Sequence, residues 1–141
     1  AADDAQHAQV TAAQERHPQL TIERRTVGSS LDAGWDAADA ALSSGATAVV
    51  AFNDLIALGL LSRLHELGID VPGRLSVVGV DDIPYARFSN PPLTTVSVPQ
   101  EALGVETWRR LHRRMSGAAT EGPLWLEGVL HVRDSTGPAP A

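Results

Sequence analysis

One stretch of this chain decides its fold class. Ala46 to Phe52 contains Ala48, Val49, Val50 and Ala51 in an unbroken apolar run, the pattern of a parallel strand covered on both faces. Asn53 follows at once as a helix N-cap, with Asp54 placed for the positive end of the helix dipole. Ala57, Leu60, Leu61, Leu64 and Leu67 then recur at helical spacing until Gly68 stops the helix before Val71-Pro72. Leu75 to Val80 reads as a second buried strand, ending in Asp81-Asp82. Strand, helix and strand in this order make a right-handed crossover with a parallel pair, so the class is α/β.

The flanks extend the alternation. Ala5 to Arg16 is rich in helix formers and closes at Pro18, and Leu20 to Val27 alternates as a strand. After the turn Gly28-Ser29-Ser30, a helix from Leu31 to Ser44 takes Ser30 or Asp32 as its cap and Gly45 as its stop. Beyond Asp82, the prolines at 84, 91 and 92 block regular structure. Leu93 to Val98 reads as a strand, and Pro99 to Ser116 as a helix with Leu103, Trp108, Leu111 and Met115 near one face. Gly117 to Pro123 is a loop, Leu124 to Val132 a last strand, and Asp134 to Ala141 a tail. With 141 residues, the chain is long enough for one core and too short for two independent ones.

Composition narrows the chemistry. The chain has no cysteine, which rules out disulfides and thiolate metal sites and makes a reducing cytoplasm the default compartment. No apolar run approaches the roughly 20 residues of a membrane span. All 11 basic residues are arginine and the net charge is −6, opposite to the positive excess that duplex binding exploits. Arg109, Arg110, Arg113 and Arg114 form one basic cluster, in the last turns of a helix where the dipole favours them. Trp35, Trp108 and Trp125 fit a core or an interface better than a base-stacking platform, because no basic stripe surrounds them.

In an open parallel sheet, ligands settle at the carboxyl ends of strands. Asn53 and Asp81 both fall there. An amide beside a carboxylate suits a polyhydroxy or otherwise polar small molecule, although Asn53 is equally a helix cap and Asp81 a loop anchor. Asp81 and Asp82 together allow a rival reading as a magnesium-dependent enzyme, but the chain has neither a lysine nor a glycine-rich phosphate loop. A serine hydrolase elbow, Gly-x-Ser-x-Gly, is also missing.

Several ordered blocks resemble the lac repressor family of transcriptional regulators. They are Ala51-Phe52-Asn53-Asp54-Leu55-Ile56-Ala57-Leu58-Gly59, Gly68-Ile69-Asp70-Val71-Pro72, Ser76-Val77-Val78-Gly79-Val80-Asp81-Asp82, Pro92-Leu93-Thr94-Thr95-Val96 and His131-Val132-Arg133-Asp134-Ser135-Thr136. The resemblance implies a three-layer parallel sheet with helices on both faces, of the type I periplasmic-binding-protein-like kind and mainly its C-terminal lobe. Residues 1–133 would be the C-terminal part of an effector-binding domain, with 94–117 crossing toward the other lobe and 134–141 a tail. A helix-turn-helix and a first lobe would lie outside these residues.

The resemblance further implies a regulator that binds a small sugar-like effector, needs no cofactor or metal, and works as a cytoplasmic homodimer without a membrane. Operator DNA would be met only through the helix-turn-helix. Asn53 and Asp81 match effector contacts, and Ser29 and Ser30 stand where many members place an aromatic ring against a sugar. Two further departures are that no arginine lies between Asp3 and Gln14, where the family carries an effector-binding one, and that Val98 replaces a common glutamine. Leu55, Leu58 and Phe88 fall in regions that contribute to the family's homodimer contact. A periplasmic solute receptor for a transporter would share the lobe. The family's central strand would precede residue 1, which leaves an unpaired sheet edge at which the chain dimerises or rearranges.

Overall fold

The computed structural model describes residues 11–119 and 122–140. Residues 11–16 are helical, and the rest of the helix expected from Ala5 lies outside the described residues. The elements then run α1 (Leu31–Ser43), β1 (Ala48–Val50), α2 (Asp54–Glu66), β2 (Ser76–Asp81), a 3-10 turn (Pro84–Arg87), β3 (Thr94–Ser97), α3 (Gln100–Met115) and β4 (Val129–His131). They form one four-stranded sheet in the order β1-β2-β3-β4. The first three strands are parallel and β4 is antiparallel to β3. The class is therefore α/β with a parallel-dominated open sheet.

Local chemistry accounts for the helix ends. Ser30 caps α1 by accepting from the N–H of Ala33 at 3.2 Å, and Asn53 caps α2 by accepting from Ile56 at 2.9 Å. Gly45 and Gly68 hold φ of 76° and 67° just past the two helices, the left-handed stop that only glycine adopts without cost. The core lies between α2 and the sheet: Ile56, Ala57, Leu60, Leu61 and Leu64 meet Leu75, Val77 and Leu93, and Ala38 of α1 joins them.

α1 packs on α2 with backbones touching. A Cβ added to Gly34 would lie 2.0 Å from the carbonyl oxygen of Ile56, and one on Gly59 would lie 1.9 Å from that of Leu31. These two glycines bring Ser30 and Asn53, the caps of the two helices, to the same end of the layer.

Several expectations need correction. The segment Leu20 to Val27 is not a strand. It has no neighbouring strand among the described residues to receive its backbone hydrogen bonds, and a lone strand is not stable in water. The run around β1 is not covered on both faces, because β1 is an edge strand whose Ala48 and Val50 point to a face that no described element covers. The proline-flanked stretch after Asp82 includes a regular turn, since Pro84 takes the first 3-10 position, where its fixed φ fits. The stretch from Asp134 to Gly137, expected as the start of a tail, is tied into the sheet. Ser135 is fully buried, accepting from Thr94 N–H at 2.8 Å and donating to the Val77 carbonyl at 2.6 Å.

The apolar face expected on α3 exists as a pattern but no described element covers it: none of the helix's residues is buried, and Trp108 is 65% exposed. The last strand is also shorter than the alternation of Leu124 to Val132 suggests, with Trp125 80% exposed before it begins.

Gly34→Ala gives a clear test of the helix contact. In a free helix, alanine in place of glycine stabilises by about 1 kcal/mol. Here the sign reverses, and urea unfolding should show a loss of about 2 kcal/mol or more from overpacking.

Candidate functional site

The carboxyl ends of β1 and β2 are neighbours by register. Val50 pairs with Val78, so Asn53 and Asp81 each stand the same distance beyond a paired position on adjacent parallel strands. Both are partly buried, neither sealed in apolar packing nor fully exposed.

Asn53 is heavily used by the fold itself. Besides capping α2, its amide nitrogen donates to the carbonyl of Ser29 at 3.2 Å. That bond joins the α1 entry turn to the α2 entry, and so places Ser29, Ser30 and Asn53 together. One amide hydrogen and one carbonyl lone pair of Asn53 are left for other partners. Ser29 and Ser30 are exposed, and the hydroxyl of Ser30 is engaged in capping.

Asp81 and Asp82 behave differently despite being adjacent. The strand turns sharply here, with φ of 116° at Asp81 and 52° at Asp82, a region that non-glycine residues seldom occupy. Among the described residues, the Asp81 carboxylate takes no side-chain partner. Burial, and then the Asp54 carboxylate beside it, push the Asp81 carboxyl above its ordinary range. Asp82 is claimed by Arg133 through a 2.6 Å bond, with His131 Nε2 3.6 Å from its other oxygen. The Arg133 hydrogen bond, aided by the charges of Arg133, His131 and Arg87, holds the Asp82 carboxyl below the usual range against the opposing effect of burial.

This division removes the basis of the magnesium reading, which needed both carboxylates. Asp82 serves instead to clamp the chain after β4 to the end of β2, and Arg133 also donates to the Leu93 carbonyl at 2.7 Å. Among the described residues, no group of three or more His, Asp or Glu could hold a metal ion.

The residue that sequence reasoning missed is Asp54. Its place after an N-cap assigned it to the helix dipole, but it is fully buried and hydrogen-bonded to Thr95 at 2.6 Å and to the Ile83 N–H at 2.9 Å. No local signal could have found it, because the Thr95 hydroxyl that holds it lies 41 residues further along the chain.

At the other end of the sheet, a shallow cleft of about 210 Å³ is lined by Leu61, His65, Ile69, Asp70, Val71, Asn90 and Pro91. It lies at the C-terminal end of α2, away from Asn53 and Asp81.

Comparison with known proteins agrees with this architecture. Residues 2–136 match the model of the periplasmic binding protein-like domain, and the chain belongs to that family. Its relatives are transcriptional regulators of the lac repressor type. It is 40% identical over 124 residues to the HTH-type transcriptional regulator MalR of Streptomyces coelicolor, covering 85% of this chain and 36% of that protein. It also resembles the lac repressor dimer bound to operator and the anti-inducer ONPF, with a TM-score of 0.77 and 31% identity over 87% of this chain and 44% of that one. A lac repressor family regulator from Enterococcus faecium with bound ribose aligns at a TM-score of 0.67 and 32% identity, covering 79% and 42%. The chain thus spans less than half the length of these relatives. No described helix is long and apolar enough to cross a membrane.

The two carboxyls should leave opposite marks on stability. Asp82 contributes stability above the ordinary carboxylate pKa, and that contribution is lost as pH falls through its depressed value. Asp81 opposes folding while ionised, so the native state gains stability as pH falls from its raised value toward the ordinary one. Asp82→Asn is therefore expected to lower Tm at pH 7 and Asp81→Asn to raise it, both differences shrinking in acid. Calorimetric Tm values from pH 3 to 7 check both signs.

Proposed function

We propose that this chain is the effector-sensing and dimerising part of a bacterial transcriptional repressor. It binds a small polar effector, sugar-like in character, at Asn53, Asp81 and the Ser29-Ser30 turn. The observation that carries the reading is the placement of Asn53 and Asp81 at the carboxyl ends of adjacent parallel strands, with Asp81 left unpaired among the described residues at the end of a strained turn. A carboxylate that costs stability where it stands is the kind of group retained for binding. Ligand-bound and operator-bound relatives of the same fold support it, and relatives that are transcriptional regulators favour it over a transporter's solute receptor.

In this reading, effector shifts the population between open and closed lobes because it binds one better than the other. Residues 94–117 cross toward the first lobe, and a helix-turn-helix outside these residues meets the operator. The protein works in the cytoplasm and needs no cofactor. The homodimer contact is formed by Leu55 and Leu58 on α2, the latter also packed against the core, and by Phe88, which is 82% exposed three residues after an exposed Tyr85. Apolar side chains clustered on a surface are what an interface requires.

Two measurements on the full-length protein test this. Asp81→Ala or Asn53→Ala should weaken the response to effector about tenfold or more, the value of losing one hydrogen bond to a charged group, while operator affinity without effector changes little. Equal loss of both counts against the assignment. Phe88→Asp should weaken self-association at least tenfold in sedimentation equilibrium, and undiminished dimer would remove Phe88 from the interface.

A further inference from the structure

The Asp54 carboxylate is a charge in the interior with two separate donors. Oδ2 accepts from the backbone N–H of Ile83 at 2.9 Å, and Oδ1 accepts from the Thr95 hydroxyl at 2.6 Å. The oxygen of that hydroxyl accepts in turn from the N–H of Asp82 at 3.4 Å. Gly79 completes the enclosure, since a Cβ there would sit 2.2 Å from Asp54 Oδ1. Both Asp54 and Thr95 are fully buried.

All of these bonds converge on one place, the turn where β2 ends. Asp81 and Asp82 hold left-handed φ values there, and a non-glycine residue keeps such a conformation only when its surroundings enforce it. The next two backbone N–H groups, of Asp82 and Ile83, are the ones fastened to Thr95 and Asp54. Asp54 also belongs to α2, whose cap Asn53 is the preceding residue. The same buried carboxylate therefore fixes the start of the helix that carries Asn53 and the turn that carries Asp81.

We infer that Asp54 and Thr95 are positioning residues for effector binding, holding the Asp81 carboxylate in register with the Asn53 amide by fastening the turn at Asp82 and Ile83. This rests on the assignment of Asp81 as an effector contact.

The test uses the full-length protein with D-ribose and lactose as probes, and reads backbone amide exchange by NMR beside sugar affinity by calorimetry. Asp54→Ala should speed exchange at Ile83 at least tenfold while Leu60 and Leu64 in α2 keep their protection. Asp54→Asn, which still offers an oxygen to Ile83, should restore most of it. Thr95→Val should speed exchange at Asp82, and Thr95→Ser should reverse that, so the Thr95 pair carries the test if Asp54→Ala does not fold.

Affinity for whichever sugar binds should fall at least tenfold in Asp54→Ala, with no further fall when that change is added to Asp81→Ala. Unchanged exchange at Ile83, loss of protection throughout α2, or an equal affinity loss with and without Asp81 each overturns the positioning role. A sugar affinity indifferent to Asp81→Ala overturns the effector reading instead, and the exchange data judge the positioning whether or not either sugar binds.

Discussion

The hydrogen bonds of the Asp54 carboxylate are the constraint around which the rest of this structure is arranged. A carboxylate removed from water is costly unless donors replace its hydration, and here they come from β3 through Thr95 and from the exit of β2 through Ile83. The N-terminal dipole of α2 adds a favourable field at the same point. Helix, central strand and neighbouring strand are thus joined at one charge. Gly79 lacks a side chain because that charge occupies the space. The apolar contacts of Leu60, Leu64, Leu75 and Val77 supply the bulk of the burial, but they do not specify how the strand ends are oriented.

The two adjacent aspartates at the end of β2 show how neighbours alone set identical side chains apart. Asp82 is taken up by Arg133 and becomes a fastening for the chain after β4. Asp81, one residue earlier and facing Asp54 without a compensating cation among the described residues, stays destabilised in its charged form. Asn53 lies between these extremes, since its amide both caps α2 and ties down the Ser29 turn.

Much of the fold was legible in the residues. The strand, helix and strand from Ala48 to Asp81 could be read because their apolar periods differ and because Asn53, Gly45 and Gly68 mark the ends with residues whose local chemistry dictates the outcome. Elements that depend on distant partners were not legible. Leu20 to Val27 has the alternation of a strand and no ladder to join among the described residues, while Trp108 and Leu111 have the spacing of a core face and stay exposed. Of the candidate site, Asn53 and Asp81 could be picked out from their places at strand ends. Asp54 could not, since its partner Thr95 is 41 residues away and periodicity carries no information about such a pairing.

The buried Ser135 has a bearing on how this chain comes to be folded. The backbone N–H of Val77 donates to the Ser135 carbonyl at 2.8 Å, and the Ser135 hydroxyl reaches the Val77 carbonyl 58 residues back in the chain. As the chain is made from its N-terminus, β1, α2 and β2 leave the ribosome well before the residue that completes their hydrogen bonding. The nascent sheet must wait with an open seam at its middle strand, a period in which exposed strand edges invite misassembly. Closure of that seam falls to a residue made only after every strand of the sheet, which makes the segment around Ser135 a latch on β2.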